Sequence, residues 1–175
     1  MLPLKDALVS EEEDHIRAAA AWSLGQIGRH SPDHAKALAQ ADVLRRLIDA
    51  FADARSSPDL KLKAQRALKS VLEKCTHLPA LEPLLHDAPP KIVKYIIQQF
   101  AKVLPNNAGA RRSFVLSRGL QKIQELRDSD PTGKLQEYIA TINSLYPADI
   151  VQYYSPNYAD TLINRLDEYD APKAH

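Results

Sequence analysis

One helical register recurs four times along this chain, and the repetition limits its fold more than any single motif does. With Ile16 taken as position 1, small or apolar residues fall at positions 5, 8, 9 and 12: Ala20, Ser23, Leu24 and Ile27. The same register fits Leu60 with Ala64, Ala67, Leu68 and Val71. It fits Ile92 with Ile96, Gln99, Phe100 and Val103, with one polar exception, and Lys134 with Tyr138, Thr141, Ile142 and Leu145 more loosely. Steps of three and four residues place each set on one face of a helix. The step from Leu60 to Ile92 is the shortest of the three between starts. A second series agrees: Val43-Leu44-Arg45-Arg46-Leu47 matches Gly119-Leu120-Gln121-Lys122-Ile123 at the same separation that relates Ile16 to Ile92.

The average step is about 40 residues, and with short helices and one long helix per unit it is the pattern of armadillo and HEAT arrays. One such unit cannot bury its apolar stripe alone, so neighbours stack into a continuous core. The reading is an all-α, armadillo/HEAT-like right-handed superhelical solenoid of about three to four repeats with a C-terminal helical cap. Composition agrees, with 24 Ala and 23 Leu against 7 Val and 5 Gly, which favours helix over sheet. The 12 prolines are expected between helices rather than inside them, and Pro32, Pro58, Pro79, Pro105 and Pro131 fall at expected joints. Helices are expected over residues 13–29, capped by Asp14 and ended by Gly28, then after Ser31-Pro32-Asp33, over about 42–52, and over 59–75.

Residues 1–146 therefore read as repeats with the N-terminal one incomplete, since residues 2–9 resemble the end of a middle helix. An uncapped end of that kind exposes apolar surface, and self-association through it is expected. Residues 147–175 read as a capping segment. Six of the seven tyrosines lie between Tyr138 and Tyr169. Ser155-Pro156 has the form of an N-cap with proline at the first helical position, and Leu162, Ile163, Leu166 and Tyr169 form one face expected to pack on the last repeat.

Motifs of catalysis are missing. The five glycines are scattered and form no phosphate loop, and neither a Gly-x-Ser-x-Gly elbow nor a His-Glu-x-x-His helix occurs. The lone Cys75 reads as a small buried hydrophobe. His30 and His34 stand four apart, but Ser31-Pro32 interrupts the helix between them, which argues against a metal pair. No catalytic residue, cofactor or metal is expected. The balance of 23 Lys+Arg against 22 Asp+Glu lacks the basic footprint of a nucleic-acid binder. No apolar run approaches the ~18 residues of a membrane span, and the opening residues lack the pattern of a signal peptide.

A groove is the better candidate site. Positions 3, 7 and 11 share a face beside the core. Position 7 holds Trp22, Arg66, Gln98 and Ala140; position 11 holds Gln26, Ser70, Lys102 and Ser144. Armadillo arrays that bind extended basic peptides repeat Trp at position 7 and Asn at position 11, the Asn amide both donating to and accepting from the peptide backbone. Trp22 and Gln26 form a single altered echo of that ladder, which disfavours nuclear-signal peptides. Lys63, Arg66, Lys94 and Lys102 make the face mildly basic, the sign that suits an acidic partner.

Specific blocks go further than the repeat class. Ala18 to His30 (AAAAWSLGQIGRH), Leu78 to Ile92 (LPALEPLLHDAPPKI), Lys102-Val-Leu-Pro, Ala110-Arg-Arg, Leu135-Gln-Glu-Tyr-Ile, Ile142-Asn-Ser and Tyr153 to Leu162 (YYSPNYADTL) are not generic armadillo positions. Together they resemble the C-terminal part of the sperm-associated antigen 6 family, armadillo proteins of the central apparatus of motile cilia and flagella. The resemblance implies a scaffold in the cytoskeleton of the axoneme, associated with one microtubule of the central pair. Its implied partners are other central-apparatus proteins, with tubulin a further candidate, and it implies no catalytic residues. Trp22, Gln26, Arg66 and Lys102 in the groove, and Tyr153, Tyr154 and Tyr158 in the tail, are the residues expected to meet partners. An adaptor that captures extended peptides in its groove is the other reading.

Overall fold

The computed structural model describes residues 2–130 and 133–169, and every regular element among them is helical. In order these are α1 (Leu2–Ser10), α2 (Asp14–His30), α3 (Pro32–Gln40), α4 (Val43–Ala52), α5 (Pro58–Leu72), α6 (Leu78–Asp87) and α7 (Pro90–Val103). A 3₁₀ turn at Leu104–Asn106 leads to α8 (Ala108–Leu116), α9 (Gly119–Leu126), α10 (Lys134–Asn143), α11 (Ala148–Tyr153) and α12 (Tyr158–Asp167).

The breaks follow from local chemistry. Ser31 Oγ accepts the His34 backbone N–H at 3.3 Å and Pro32 opens α3; Ser57 Oγ accepts the Leu60 N–H at 3.3 Å and Pro58 opens α5. A hydroxyl cap satisfies a free donor of the first turn, and proline there has no donor to lose. Asn107 Oδ1 caps α8 through the Ala110 N–H at 2.9 Å. Asp42 and Arg118, separated by the same double period as Ile16 and Ile92, both adopt the left-handed backbone (φ 62° and 63°) immediately before α4 and α9. The two series seen in the sequence are thus copies of one turn between a short helix and its successor.

The long helices α2, α5 and α7 stack side by side with the shorter α10, while α1, α4, α6 and α9 form the layer behind them. Units α3–α4–α5 and α8–α9–α10 have three helices each. Between them α6–α7 has two, which is why the register step from Leu60 to Ile92 is the short one. The core runs through every layer, from Leu8 through Leu24, Leu47, Leu68 and Ile96 to Phe100, Phe114 and Ile139. The Phe100 and Phe114 rings lie 4.8 Å apart. Buried amides tie elements together: Gln99 Nε2 donates to the Cys75 carbonyl at 2.7 Å, and Gln124 and Asn143 exchange bonds at 2.6 and 3.2 Å. On the surface Arg45 bridges to Asp87 at 2.8 Å.

The seam between α2 and α5 is the most extensive in the molecule, and that between α5 and α7 is far thinner. Small residues make the first one possible. A Cβ on Gly25 would stand 2.8 Å from Ala67 Cα, and one on Gly28 would stand 2.5 Å from Val71 Cγ2. Gly28 therefore serves close packing rather than ending α2, which continues to His30. The buried face of α2 is Ala18, Ala21, Gly25 and Gly28 together with Ala20 and Leu24, so Ile16, at position 1, is 37% exposed.

Three other expectations change. Asp14 does not cap α2 but opens it; its carboxylate accepts the Ser57 backbone N–H and pairs with Arg17 at 2.9 Å. Pro83 sits inside α6, while Pro131 lies outside the described residues. In the tail, α12 starts at Tyr158 with Asn157 before it, and Ser155 Oγ donates back to the Val151 carbonyl at 3.0 Å instead of capping. Leu162, Ile163, Leu166 and Tyr169 do not pack down: α12 buries none of its residues, and Leu166 is 69% exposed. Of the six tyrosines from Tyr138 onward, Tyr138, Tyr146 and Tyr154 pack against the core.

Candidate protein-interaction groove

The long helices leave two open hollows along their exposed side. The first, ≈ 310 Å³, lies between α2 and α5 and is lined by Trp22, Gln26, Lys63, Arg66, Ser70 and Glu73 among others. The second, ≈ 280 Å³, lies between α5 and α7, with Lys74, Tyr95, Gln98 and Lys102. Glu73 borders both, so the two hollows adjoin along one face of three helices. Trp22, Gln26 and Arg66 are brought together in the first hollow, and Lys102 lies in the second. The Trp22 side chain is 52% exposed.

The face is offset from the one read in the sequence. Positions 4, 7 and 11 line the groove, not 3, 7 and 11: Lys63 and Tyr95 hold position 4, and the position-3 residues Leu62 and Lys94 stand outside both linings. Lys94 Nζ instead lies 5.3 Å from the centre of the Tyr95 ring. Tyr95, Lys69, Glu73 and Lys74 are groove residues that the sequence reading missed. The spacing of 4, 7 and 11, three then four residues, was the available signal. Lys69 approaches Glu73 at 3.8 Å across one helical turn.

Tyr153, Tyr154 and Tyr158 form a separate cluster. The Tyr153 ring meets Tyr154 edge-on at 4.9 Å and Tyr158 at 5.1 Å. With Gln121 and Glu125 of α9 they border a cleft of ≈ 510 Å³. Tyr153 is exposed, whereas Tyr154 packs partly on the core.

Elsewhere, reactive side chains have structural surroundings. Cys75 is fully buried, and burial pushes its thiol up. The His30 and His34 rings stack 5.1 Å apart at 12°, with His34 Nδ1 2.7 Å from Ser31 Oγ. Among the described residues no group of three or more His, Cys, Asp or Glu could hold a metal, and no helix is long and apolar enough to cross a membrane.

Over 166 residues, 95% of its length, the chain is 55% identical to human sperm-associated antigen 6. It matches the C-terminal part of that protein. The mouse protein of the same name is 54% identical over the same extent. The chain spans 32% of the length of these relatives. No family model matches it. Among solved structures, a computationally designed armadillo repeat protein for modular peptide recognition superposes with a TM-score of 0.57 at 15% identity, covering 97% of this chain and 75% of that one. A second designed armadillo protein gives 0.54 at 17% identity, with the same coverage. The fold is an armadillo-like helical solenoid built of stacked repeats.

Proposed function

We propose that this chain is a non-enzymatic scaffold of the axonemal central apparatus, a segment on which other central-apparatus proteins, microtubules or both dock to support flagellar motility. The observation that carries the reading is 55% identity to sperm-associated antigen 6 along nearly the whole chain, joined to an open groove on a stacked helical rod. Residues 1–146 act as the repeat array and residues 147–175 as its terminal segment. Partners meet the array at Trp22, Gln26, Arg66 and Lys102 and the terminal segment at Tyr153, Tyr154 and Tyr158.

A fluorescently tagged copy, expressed in cells with motile cilia, tests the reading. It is expected to remain on the central pair after detergent extraction. Complete loss into the soluble fraction overturns it. The groove favours one further reading, a soluble adaptor for extended peptides, because Trp22 and Gln26 line the same hollow. Peptide binding that depends on both residues, without axonemal retention, selects the adaptor.

A further inference from the structure

We propose that the groove takes an extended acidic peptide whose carboxylates are spaced to match the step between neighbouring long helices. This rests on reading the chain as a docking scaffold, and it names the chemistry of one partner. Five cations, Lys63, Arg66, Lys69, Lys74 and Lys102, line the two adjoining hollows, against the single carboxylate of Glu73. Lys69 already stands 3.8 Å from that carboxylate. The chain as a whole carries a net charge of only +1, so the positive excess is local to the groove. Charge complementarity of this kind sets which partner approaches and in what register.

The neutral groups between the cations suit a peptide backbone. Gln26, Ser70 and Gln98 each donate and accept hydrogen bonds, as successive peptide units require. At one end the exposed Trp22 ring offers a flat apolar surface to a side chain. Packed helices stand about 8–10 Å apart, and a peptide extended as polyproline II advances ~3.1 Å per residue and turns once about every three. Carboxylates about three residues apart therefore lie on one face ~9 Å apart and reach Arg66 on α5 and Lys102 on α7 in turn. The basic peptides favoured by Trp and Asn ladders would meet repulsion here.

Fluorescence anisotropy decides the matter. The probe is a labelled peptide of about 12 residues, ~40 Å when extended, with Glu at every third position in an Ala/Ser background. Its counterpart carries Lys at those positions, and an oligothymidine of equal charge tests for general anion binding. The Glu peptide is expected to bind, the Lys peptide not to bind, and the oligothymidine to bind more weakly. Affinity for the Glu peptide falls as salt shortens the screening length. Arg66→Glu with Lys102→Glu weakens binding by about tenfold or more. Arg127→Glu, beyond α9 and outside both hollows, leaves it unchanged. Far-UV circular dichroism checks each variant; should the double reversal not fold, Arg66→Gln with Lys102→Gln moves the same way. Four results overturn the proposal: no binding of the Glu peptide, equal binding of the Lys peptide, equal binding of oligothymidine, or indifference to the reversals. Failure of the scaffold reading is distinct, appearing as absence from the axoneme with charge-selective peptide binding intact.

Discussion

Gly25→Ala probes the seam that makes this stack a rod. The added methyl would stand 2.8 Å from Ala67 Cα and 3.0 Å from Ala67 Cβ, where carbon atoms prefer about 3.5–4.0 Å. The nearer atom is backbone, so no rotamer change relieves it, and α2 and α5 must move apart. Overpacking of this kind costs about 1–3 kcal/mol, and replacing a helical glycine by alanine returns about 1 kcal/mol of propensity. Because the obstructing atom is backbone, the cost lies in the upper part of that range, about 2–3 kcal/mol, and the expected net loss is about 1–2 kcal/mol. With a slope of ~2 kcal/mol per molar urea, the unfolding midpoint followed by circular dichroism falls by about 0.5–1 M. A double-mutant cycle sharpens the point. Ala67→Gly removes the Cβ but leaves the Cα in place, so it rescues little. At Gly28 the nearest atom is the side-chain methyl Val71 Cγ2, at 2.5 Å, so Val71→Ala recovers more of the Gly28→Ala loss. A Gly25→Ala chain that unfolds at the same or a higher urea concentration than wild type refutes the reasoning.

Three further outcomes are expected. Asp14 is held below its ordinary carboxyl value of 3.8, first by the Ser57 backbone N–H, which outweighs the opposing effect of burial, and further by Ser57 and Arg17 side-chain bonds. Its contribution is therefore full above 3.8 and lost as pH falls through the lower folded value; urea midpoints of wild type and Asp14→Asn should differ near neutral pH and converge as pH falls below 3.8. Tyr146 donates its hydroxyl to the Arg111 carbonyl at 2.8 Å, and burial raises its pKa from 10.0 to about 12. Tyr146→Phe should cost about 1 kcal/mol in urea titrations, a difference present below pH 10 and shrinking as pH rises toward 12, because only the protonated phenol donates. Arg118 holds φ at 63°, so Arg118→Gly should raise the midpoint by the equivalent of about 0.5–1 kcal/mol; an unchanged or lower midpoint counts against strain there.

Much of the array was legible because its punctuation is chemical. Ser31-Pro32 and Ser57-Pro58 both cap and start helices, and the double-period recurrence marked two copies of one left-handed turn. Ile16 was misplaced because an apolar residue looks like core by periodicity, while the contact that decides the face of α2 is made by glycines that carry no hydrophobic signal. The groove was read one residue off for the same reason: Lys63 and Tyr95 are set by how deeply α5 and α7 roll toward their neighbours, and only packing fixes that roll. The stripe on α12 shows which side of a helix is apolar; it does not say what covers that side. Ser155-Pro156 failed as a cap because a turn from Ser155 to Tyr158 delays the start of α12 to Tyr158, out of reach of the Ser155 hydroxyl as a cap.

The thin α5–α7 seam has a mechanical consequence. In a one-dimensional stack each unit is held only by its neighbours, so a bending load concentrates at the joint with the least shared surface. The two-helix unit α6–α7 places that joint beneath Glu73, where the hollows meet. Curvature imposed on the rod collects there and changes the separation of the cations on either side. The spacing of docking points along the groove is thus coupled to how far the rod is bent.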